Sequence, residues 1–293
     1  MNTTGSLANP TAFIRCATAL AICRGCSIVG LGLALALPVA ATPFTVTNLV
    51  TDDQSVNAAQ ITDPNLTNAW GISHSATSPF WVSSNGGGVS MLYRVDPLTN
   101  ATTKVGLEVA IPGAGNVTGQ VFNVGNGTGN FNGNLFLFVS EDGTVSGWRG
   151  ALGTSAEVLQ TASDTNSYKG SAISLIGNNA YLYAADFADA QIDVLKGNAG
   201  APDLAGSFTD PNIPSGFAPF NIQTLGDTLY VTYALRNPVT GDDVAGAGNG
   251  CGFARASFSR TCTLPSRCST RQQETDSSAG ARRTPPVRRL KQA

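Results

Sequence analysis

Four stretches of the chain share one hydrophobic pattern. Ser78–Asp96 reads SPFWVSSN and then VSMLYRVD; Gly133–Gly150 reads GNLFLFVSEDGTVSGWRG; Asn179–Gly197 reads NAYLYAADFADAQIDVLKG; Asp227–Leu235 reads DTLYVTYAL. Each opens on an alternating or fully apolar run rich in Phe, Tyr, Val and Leu. In the first three, a polar turn of Asp, Asn or Gly leads into a second alternating run. Two-residue periodicity broken by turn-forming residues predicts strand, hairpin turn, strand. Trp81, Leu137, Leu182 and Tyr230 align as equivalent positions, with steps of 56, 45 and 48 residues.

A second marker precedes each pair: AWGIS at Ala69–Ser73, QVFNV at Gln120–Val124, KGSAIS at Lys169–Ser174 and APFNIQ at Ala218–Gln223. At a spacing of roughly 50 residues, these are expected to be the innermost strands of a repeating sheet, with Trp70, Phe122, Ile173 and Ile222 on or beside them. The tetrapeptide Thr-Asp-Pro-Asn occurs at Thr62–Asn65 and again at Thr209–Asn212, 147 positions on. That interval is three repeats of about 49 residues, so the copies are expected to mark the same corner of two units.

A four-stranded antiparallel sheet recurring at this period is the pattern of a β-propeller. The expected fold is all-β: about four antiparallel, four-stranded blades, each apolar on both faces and stable only against its neighbours. No long amphipathic helical pattern interrupts residues 42–250. Glycine, at 33 residues in 293, supplies the tight turns.

Charge divides the chain into three regions. Residues 1–41 carry only Arg15 and Arg24; residues 42–250 carry six Lys/Arg against seventeen Asp/Glu, a net of −11; residues 251–293 carry nine Lys/Arg against Glu274 and Asp276. A body this acidic repels phosphate backbones, so no nucleic-acid partner is expected. Cysteine follows the same division: Cys16, Cys23 and Cys26 lie in the first region, Cys251, Cys262 and Cys268 in the last, and the body has none. The body therefore has no disulfide, thiolate metal site or cysteine nucleophile.

In the first region, Arg15 and Arg24 precede the apolar run SIVGLGLALAL (Ser27–Leu37); Pro38 ends it, and Val39–Ala41 offers small residues for cleavage. This predicts a signal peptide over 1–41, cut after Ala41, with export to the periplasm or beyond. Eleven apolar residues are too few to cross a bilayer, so the mature chain is expected to have no membrane span.

The motifs TDPNLTNAWGIS, SPFWVSSNG, TGQVFN, NGNLFLFVSEDGTVSGWRGALG, YKGSAIS, YLYAADF, GSFTDPNIPSGFAPFNIQ, LYVTYA and DDVAGAGNG, taken in order, resemble one family. It comprises uncharacterised secreted bacterial proteins with a predicted six-bladed, NHL-like propeller, some ending in a PEP-CTERM sorting tail. The resemblance covers Phe44 to Gly250 and implies a propeller short of its C-terminal blades. The departure begins at Cys251, where the family pattern continues with a Phe-Val-Asp-Val-Phe-like strand. Here residues 251–293 show no strand alternation, with eight arginines and six serines. They are expected to be a disordered basic tail, such as a frameshift in a GC-rich gene produces; a natural basic tail for anionic surfaces is the alternative. A zinc site at Cys251, Cys262 and Cys268, with 10 and 5 intervening residues, fits no common motif.

The chemical inventory is thin. His74 is the only histidine and is expected in a solvated loop, leaving little for a Ser-His-Asp arrangement. No catalytic residue is assigned. Oxygen ligands remain: some calcium-dependent propeller hydrolases hold the ion with Glu, Asn and Asp from several blades, and hard cations favour such donors. The candidates are Glu141, Asp186, Asn221 and Asn68, with Asp142 beside Glu141. Asp186 follows an apolar run, where a lone charge needs a partner, and Lys169 is a candidate for that partner. The alternatives are a hairpin turn at Glu141–Asp142–Gly143 and a structural cap or salt bridge at Asp186. GDDVAGAGNG (Gly241–Gly250) reads as a flexible connecting loop. Trp70 and Lys169 are candidates to face a ligand; Trp70, Trp81, Trp148 and Phe220 suit either a sugar-binding face or packing between blades. Two functions remain open. One is a non-catalytic extracellular binding or scaffold protein, without cofactor, for an unidentified ligand or surface polymer. The other is a calcium-dependent, lactonase-like hydrolase, expected to be inactive in a chain of four blades.

Overall fold

The structure, a computed structural model, describes residues 45–205, 208 and 213–257, with backbone alone for 252–257. The signal region with its cleavage site at Ala41, the second Thr-Asp-Pro-Asn copy and the tail beyond Ser257 lie outside the described residues. Apart from Thr45, the described residues belong to one compact unit beginning at Val46.

Strands β1 (Val50–Thr51) and β2 (Ile61–Thr62) form a short parallel pair. The first blade follows: β3 (Ala69–Ser73), β4 (Phe80–Ser84), β5 (Val89–Val95) and β6 (Thr102–Ala110), in that order and antiparallel throughout. The second comprises β7 (Val117–Phe122), β8 (Phe136–Ser140), β9 (Val145–Trp148) and β10 (Glu157–Gln160). The third has β11 (Tyr168–Ile176), β12 (Asn179–Asp186) and β13 (Gln191–Lys196) among the described residues; the fourth has β14 (Phe217–Leu225), β15 (Thr228–Leu235) and β16 (Gly250–Ser257). Each blade starts with the marker strand expected to be innermost. These inner strands lie side by side, β3 by β7, β7 by β11 and β11 by β14. This meander with neighbouring first strands is the propeller arrangement. Among the described residues no helix is long and apolar enough to cross a membrane.

A separate apolar layer fills each seam between blades. Trp81, Leu92, Phe136, Phe138 and Trp148 join the first and second blades; Leu137, Val139, Leu182 and Ala184 join the second and third; Tyr181, Tyr183, Leu229 and Val231 join the third and fourth. Trp81 stacks on Phe136 with centroids 4.2 Å apart and meets Trp148 at 4.9 Å. These two tryptophans are therefore packing residues. One alignment needs correction. Trp81 and Leu137 face the following blade, but Leu182 faces the preceding one, and Tyr183 is the equivalent residue. A one-residue slip in a strand moves a side chain to the opposite face, which spacing alone does not reveal.

A finer repeat runs along the inner strands. Each is bulged at the same point, between Ala69 and Ile72, Val117 and Gln120, Tyr168 and Gly170, and Pro219 and Asn221. In the first three a glycine sits there: Gly71, Gly119 and Gly170. A Cβ on Gly71 would lie 2.4 Å from Thr118 O; on Gly119, 2.5 Å from Ser171 N; on Gly170, 2.4 Å from the Asn221 side-chain oxygen and 2.9 Å from Asn221 Cα. Real side chains do not approach backbone so closely, so main chain meets main chain at these seams. The fourth strand carries the exposed Asn221 at this position.

The first Thr-Asp-Pro-Asn copy has a definite role. Asp63 is 2 % exposed and accepts hydrogen bonds from Tyr93 Oη (2.6 Å) and the Asn65 N–H (3.2 Å), while Lys104 pairs with it at 2.8 Å. It ties the turn before the first blade to that blade's outer strands. Burial would raise its pKa, but these partners outweigh burial and hold the carboxyl below its usual range.

The ordered body does not stop at Gly250, as the lack of alternation after Cys251 suggested. Residues 250–257 form β16, paired along β15 from Ala234↔Gly250 to Thr228↔Ser257. Cys251 is buried in the layer between the third and fourth blades. Edge pairing draws on backbone groups, which every residue but proline provides, so a segment poor in alternation still extends a sheet.

Candidate functional site

The starts of the inner strands converge on Lys169. Its side chain, in β11, is 5 % exposed and pairs with Glu141, at the turn after β8, and with Asp242 Oδ1 at 3.1 Å. Its ammonium lies 5.6 Å from the centre of the Trp70 ring and 5.8 Å from that of Phe187. Trp70, on the first blade, donates from Nε1 to the carbonyl of Lys169 at 2.9 Å and meets Phe220 of the fourth blade at 5.8 Å. Phe187 closes against Phe220 at 5.6 Å. Asn85 Nδ2 donates to Glu141 at 3.3 Å, and Asn68 Nδ2 to Asn85 Oδ1 at 3.0 Å. All four blades thus contribute to one cage around an ammonium. Burial alone would lower the lysine's pKa, but the hydrogen bonds and charges of Glu141 and Asp242 outweigh it and raise the pKa above its usual value. The Lys169 hydrogen bond in turn holds the Asp242 carboxyl below its usual range.

Of the predicted residues, Asn68, Trp70, Glu141 and Lys169 therefore share one network. Asp186 belongs to another, which corrects its expected pairing with Lys169. Its Oδ1 accepts the N–H groups of Ser167 (3.0 Å), Ala188 (3.0 Å) and Asp189 (3.3 Å), and its Oδ2 accepts Asn166 Nδ2 (2.6 Å). N–H groups of the following turn, with Ser167 N–H and the Asn166 amide from just before β11, satisfy the carboxylate without a cation, the structural-cap alternative. Close by, Tyr168 Oη donates to Asp193 at 2.8 Å; burial, with the charges of Asp186 and Asp189, pushes the Asp193 carboxyl up. Asn221 turns its amide oxygen to the N–H of Ile222 at 2.8 Å. Asp142 accepts the N–H groups of Ala114 and Thr144 at 2.8 and 2.9 Å, as a hairpin turn requires. His74 is exposed, with Nδ1 2.9 Å from Ser75 O.

The donor set does not fit calcium. Among the described residues no three of His, Cys, Asp and Glu are placed to hold a metal ion. Glu141 is taken by Lys169 and Asp186 by backbone N–H groups, whereas calcium wants six to eight oxygens. The ammonium of Lys169 supplies positive charge where a metal ion would otherwise balance Glu141.

Asn85, Phe187 and Asp242 were missed in the sequence. Asp242 had no signal: it sits in the Gly-rich connection expected to be flexible. That connection is folded back by main-chain hydrogen bonds, Asn237 N–H donating to Asp242 O at 2.8 Å and Val244 N–H to Leu235 O at 2.9 Å, around a backbone β-bridge between Arg236 and Asp243.

Further along the same inner strands lies a cavity of about 450 Å³. Ile72 and Ser73 line it from β3, Gln120 and Phe122 from β7, Ser171 from β11 and Gln223 from β14. No Asp, Glu, Lys or Arg is among its lining residues, but the exposed His74 is. Gln120 is committed to the scaffold: its Nε2 donates to Gly71 O at 2.8 Å and to Trp81 O, and its Oε1 accepts Ser90 Oγ at 2.9 Å. The hydroxyls of Ser73 and Ser171 are buried and have no hydrogen-bond partner.

No family model matches the chain. It is 31% identical over 212 residues to an uncharacterized protein of Acanthamoeba polyphaga mimivirus, covering 66% of this chain and 50% of the relative. A second uncharacterized protein of that virus is 30% identical over 211 residues, covering 65% of this chain and 52% of the relative. The chain thus spans about half the length of the curated relatives it matches. Among solved structures, it is similar to the periplasmic gluconolactonase PpgL of Pseudomonas aeruginosa (TM-score 0.40, 16% identity, 67% of this chain and 71% of that one). It is also similar to a putative 6-phosphogluconolactonase of Bacteroides uniformis (TM-score 0.37, 20% identity, 63% of this chain and 55% of that one).

Proposed function

We propose that this chain is a secreted, non-catalytic β-propeller that binds a small extracellular ligand in the cavity between its inner strands. The observation that carries this reading is the cavity itself, lined from all four described blades. Its volume falls in the range of about 300–1,000 Å³ typical of small-molecule sites. Glu141 is paired with Lys169 and Asp186 accepts backbone N–H groups, so neither of these two predicted oxygen donors stands free, which supports the binding reading over the hydrolase alternative.

A thermal-shift scan over a chemically diverse set of small molecules tests the proposal. At least one class raises the midpoint of the wild-type chain and has no effect on Gln223→Trp, which fills the cavity rim from an exposed position. Shifts that persist in Gln223→Trp, or none at all, overturn it.

Export and membership of the NHL-like secreted family belong to the same proposal, supported by the motifs over 44–250 and by residues 1–41. N-terminal sequencing of secreted material is expected to begin at Thr42; material retaining Met1 contradicts export with cleavage.

A further inference from the structure

From the uncovered face of the first blade we infer that two copies of this chain pair about a two-fold axis, each setting Ile72, Phe80, Val82 and Val95 against the same residues of the other. The inference does not rest on the binding role proposed above. It starts from the repeat. The residues that follow the bulge positions of the inner strands are Ile72, Gln120, Ser171 and Ile222. They pair with Val82, Phe138, Ala184 and Val231, and two places before these stand Phe80, Phe136, Leu182 and Leu229. In the second, third and fourth blades the preceding blade covers these positions: Gln120 is 4 % exposed, Ser171 7 % and Ile222 1 %, and the others are buried. In the first blade Ile72 is 63 % exposed, and Phe80 and Val82 are half-buried. The shared register therefore gives the first blade an interface face with no blade before it among the described residues.

The segment before β3 covers part of this face: Val50, Ile61 and Leu66 pack with Met91 and Tyr93. Beside them a cleft of about 260 Å³ stays open, and of its lining residues only Tyr93 and Thr102 carry a polar side-chain group. The Tyr93 hydroxyl is already given to Asp63. No charged side chain lines the cleft, so two copies, each with a net −11 over residues 42–250, meet there without opposing acids. The other end of the molecule decides which partner fits. The face of the fourth blade turned away from the third presents the exposed Asn221, Gln223 and Leu225, with Thr232 opposite Asn221 and Tyr230 opposite Gln223. Amides and hydroxyls do not match an apolar cleft, which would leave them without partners. Asn221 also replaces the glycine that faces the next blade at the other three seams. The surface that matches an apolar face is the same face of a second copy, and a patch that meets itself gives a closed two-fold dimer.

The test is sedimentation equilibrium of the purified full chain under reducing conditions, which keep cysteine pairing out of the result. The expected result is a monomer–dimer equilibrium that goes no further than the dimer and tightens as salt screens the like charge of the two copies. Ile72→Glu weakens it by about tenfold or more, because it buries a charge without a partner. Ile72 is mostly exposed in the single chain, so the melting midpoint of the monomeric variant stays close to that of the monomeric wild type. Ile72→Lys weakens pairing likewise, and an equimolar mixture of the two variants pairs more tightly than either alone, as a face that meets itself requires. Leu225→Glu, on the fourth blade, leaves the dimer unchanged. Growth beyond the dimer that Leu225→Glu abolishes assigns the face to the fourth blade of the next copy and overturns the proposal. A chain that is monomeric at every concentration, a dimer indifferent to Ile72→Glu, or a mixture no tighter than its parts overturns it too.

Discussion

Replacing Lys169 with methionine lowers the stability of the chain by about 3 kcal/mol, the size expected when one member of a buried ion pair is removed. The loss comes from what is left behind. Glu141, with its side chain 24 % exposed, keeps only the Asn85 amide, and Asp242 loses the contact that holds its loop against the third blade. Glu141→Gln in the same background restores much of the loss by removing the stranded carboxylate, so denaturant unfolding of the two single variants and the double variant yields a coupling energy. The pH dependence has a definite sign. The pKa of Lys169 is raised in the folded state, so the stabilisation is fully present below about 10.4, the value for an unfolded chain, and is lost as pH rises through the higher folded value. Alkaline titration of stability therefore separates wild type from Lys169→Met: the methionine variant lacks that loss. A variant as stable as wild type at neutral pH would show the cage to be energetically idle.

Gly119→Ala destabilises the chain by a comparable amount, about 3 kcal/mol, for a steric reason. The new Cβ would lie 2.5 Å from Ser171 N and 2.8 Å from the carbonyl carbon of Gly170, both backbone atoms of the next blade. Relief requires the second and third blades to separate along a seam closed by Leu137, Val139 and Leu182. Gly106→Ala, on β6, is the control, because nothing lies within 4 Å of a Cβ there. For a domain of this size the Gly119 variant melts about 6–12 °C lower and the Gly106 variant close to wild type. Equal midpoints for the two would remove close backbone approach as the reason for the repeated glycine.

The period of the fold was legible because each blade repeats the same two demands: an inner strand followed by an apolar strand with a turn. Periodicity finds both, and three marker segments fall within β3, β11 and β14, while the second overlaps β7 at Gln120–Phe122 and runs two residues past it. What it missed depends on which face a residue takes and which partner lies across the chain. Leu182 and Tyr183 are neighbours in sequence and belong to opposite seams. Lys169 lies 17 residues from Asp186, yet it pairs with Glu141 and with Asp242, 28 and 73 positions away. Burial of Asp186 was legible in its apolar surroundings; its satisfaction by turn N–H groups was not, because backbone donors leave no trace in side-chain identity. β16 was missed for a related reason: pairing along β15 uses main-chain groups that Gly250 and Cys251 possess as fully as valine does.

The glycine seams also decide what can vary. Where main chain closes on main chain at Gly71 and Gly119, the spacing of the inner strands is fixed, and substitutions can change the cavity rim, as at Gln223 or Val124, but not that spacing. The third seam differs in its chemistry. Asn221 stands where the other three strands are bare, and its amide oxygen is the atom nearest a Cβ placed on Gly170. A methyl at Gly71 or Gly119 meets main chain first; one at Gly170 first displaces an amide.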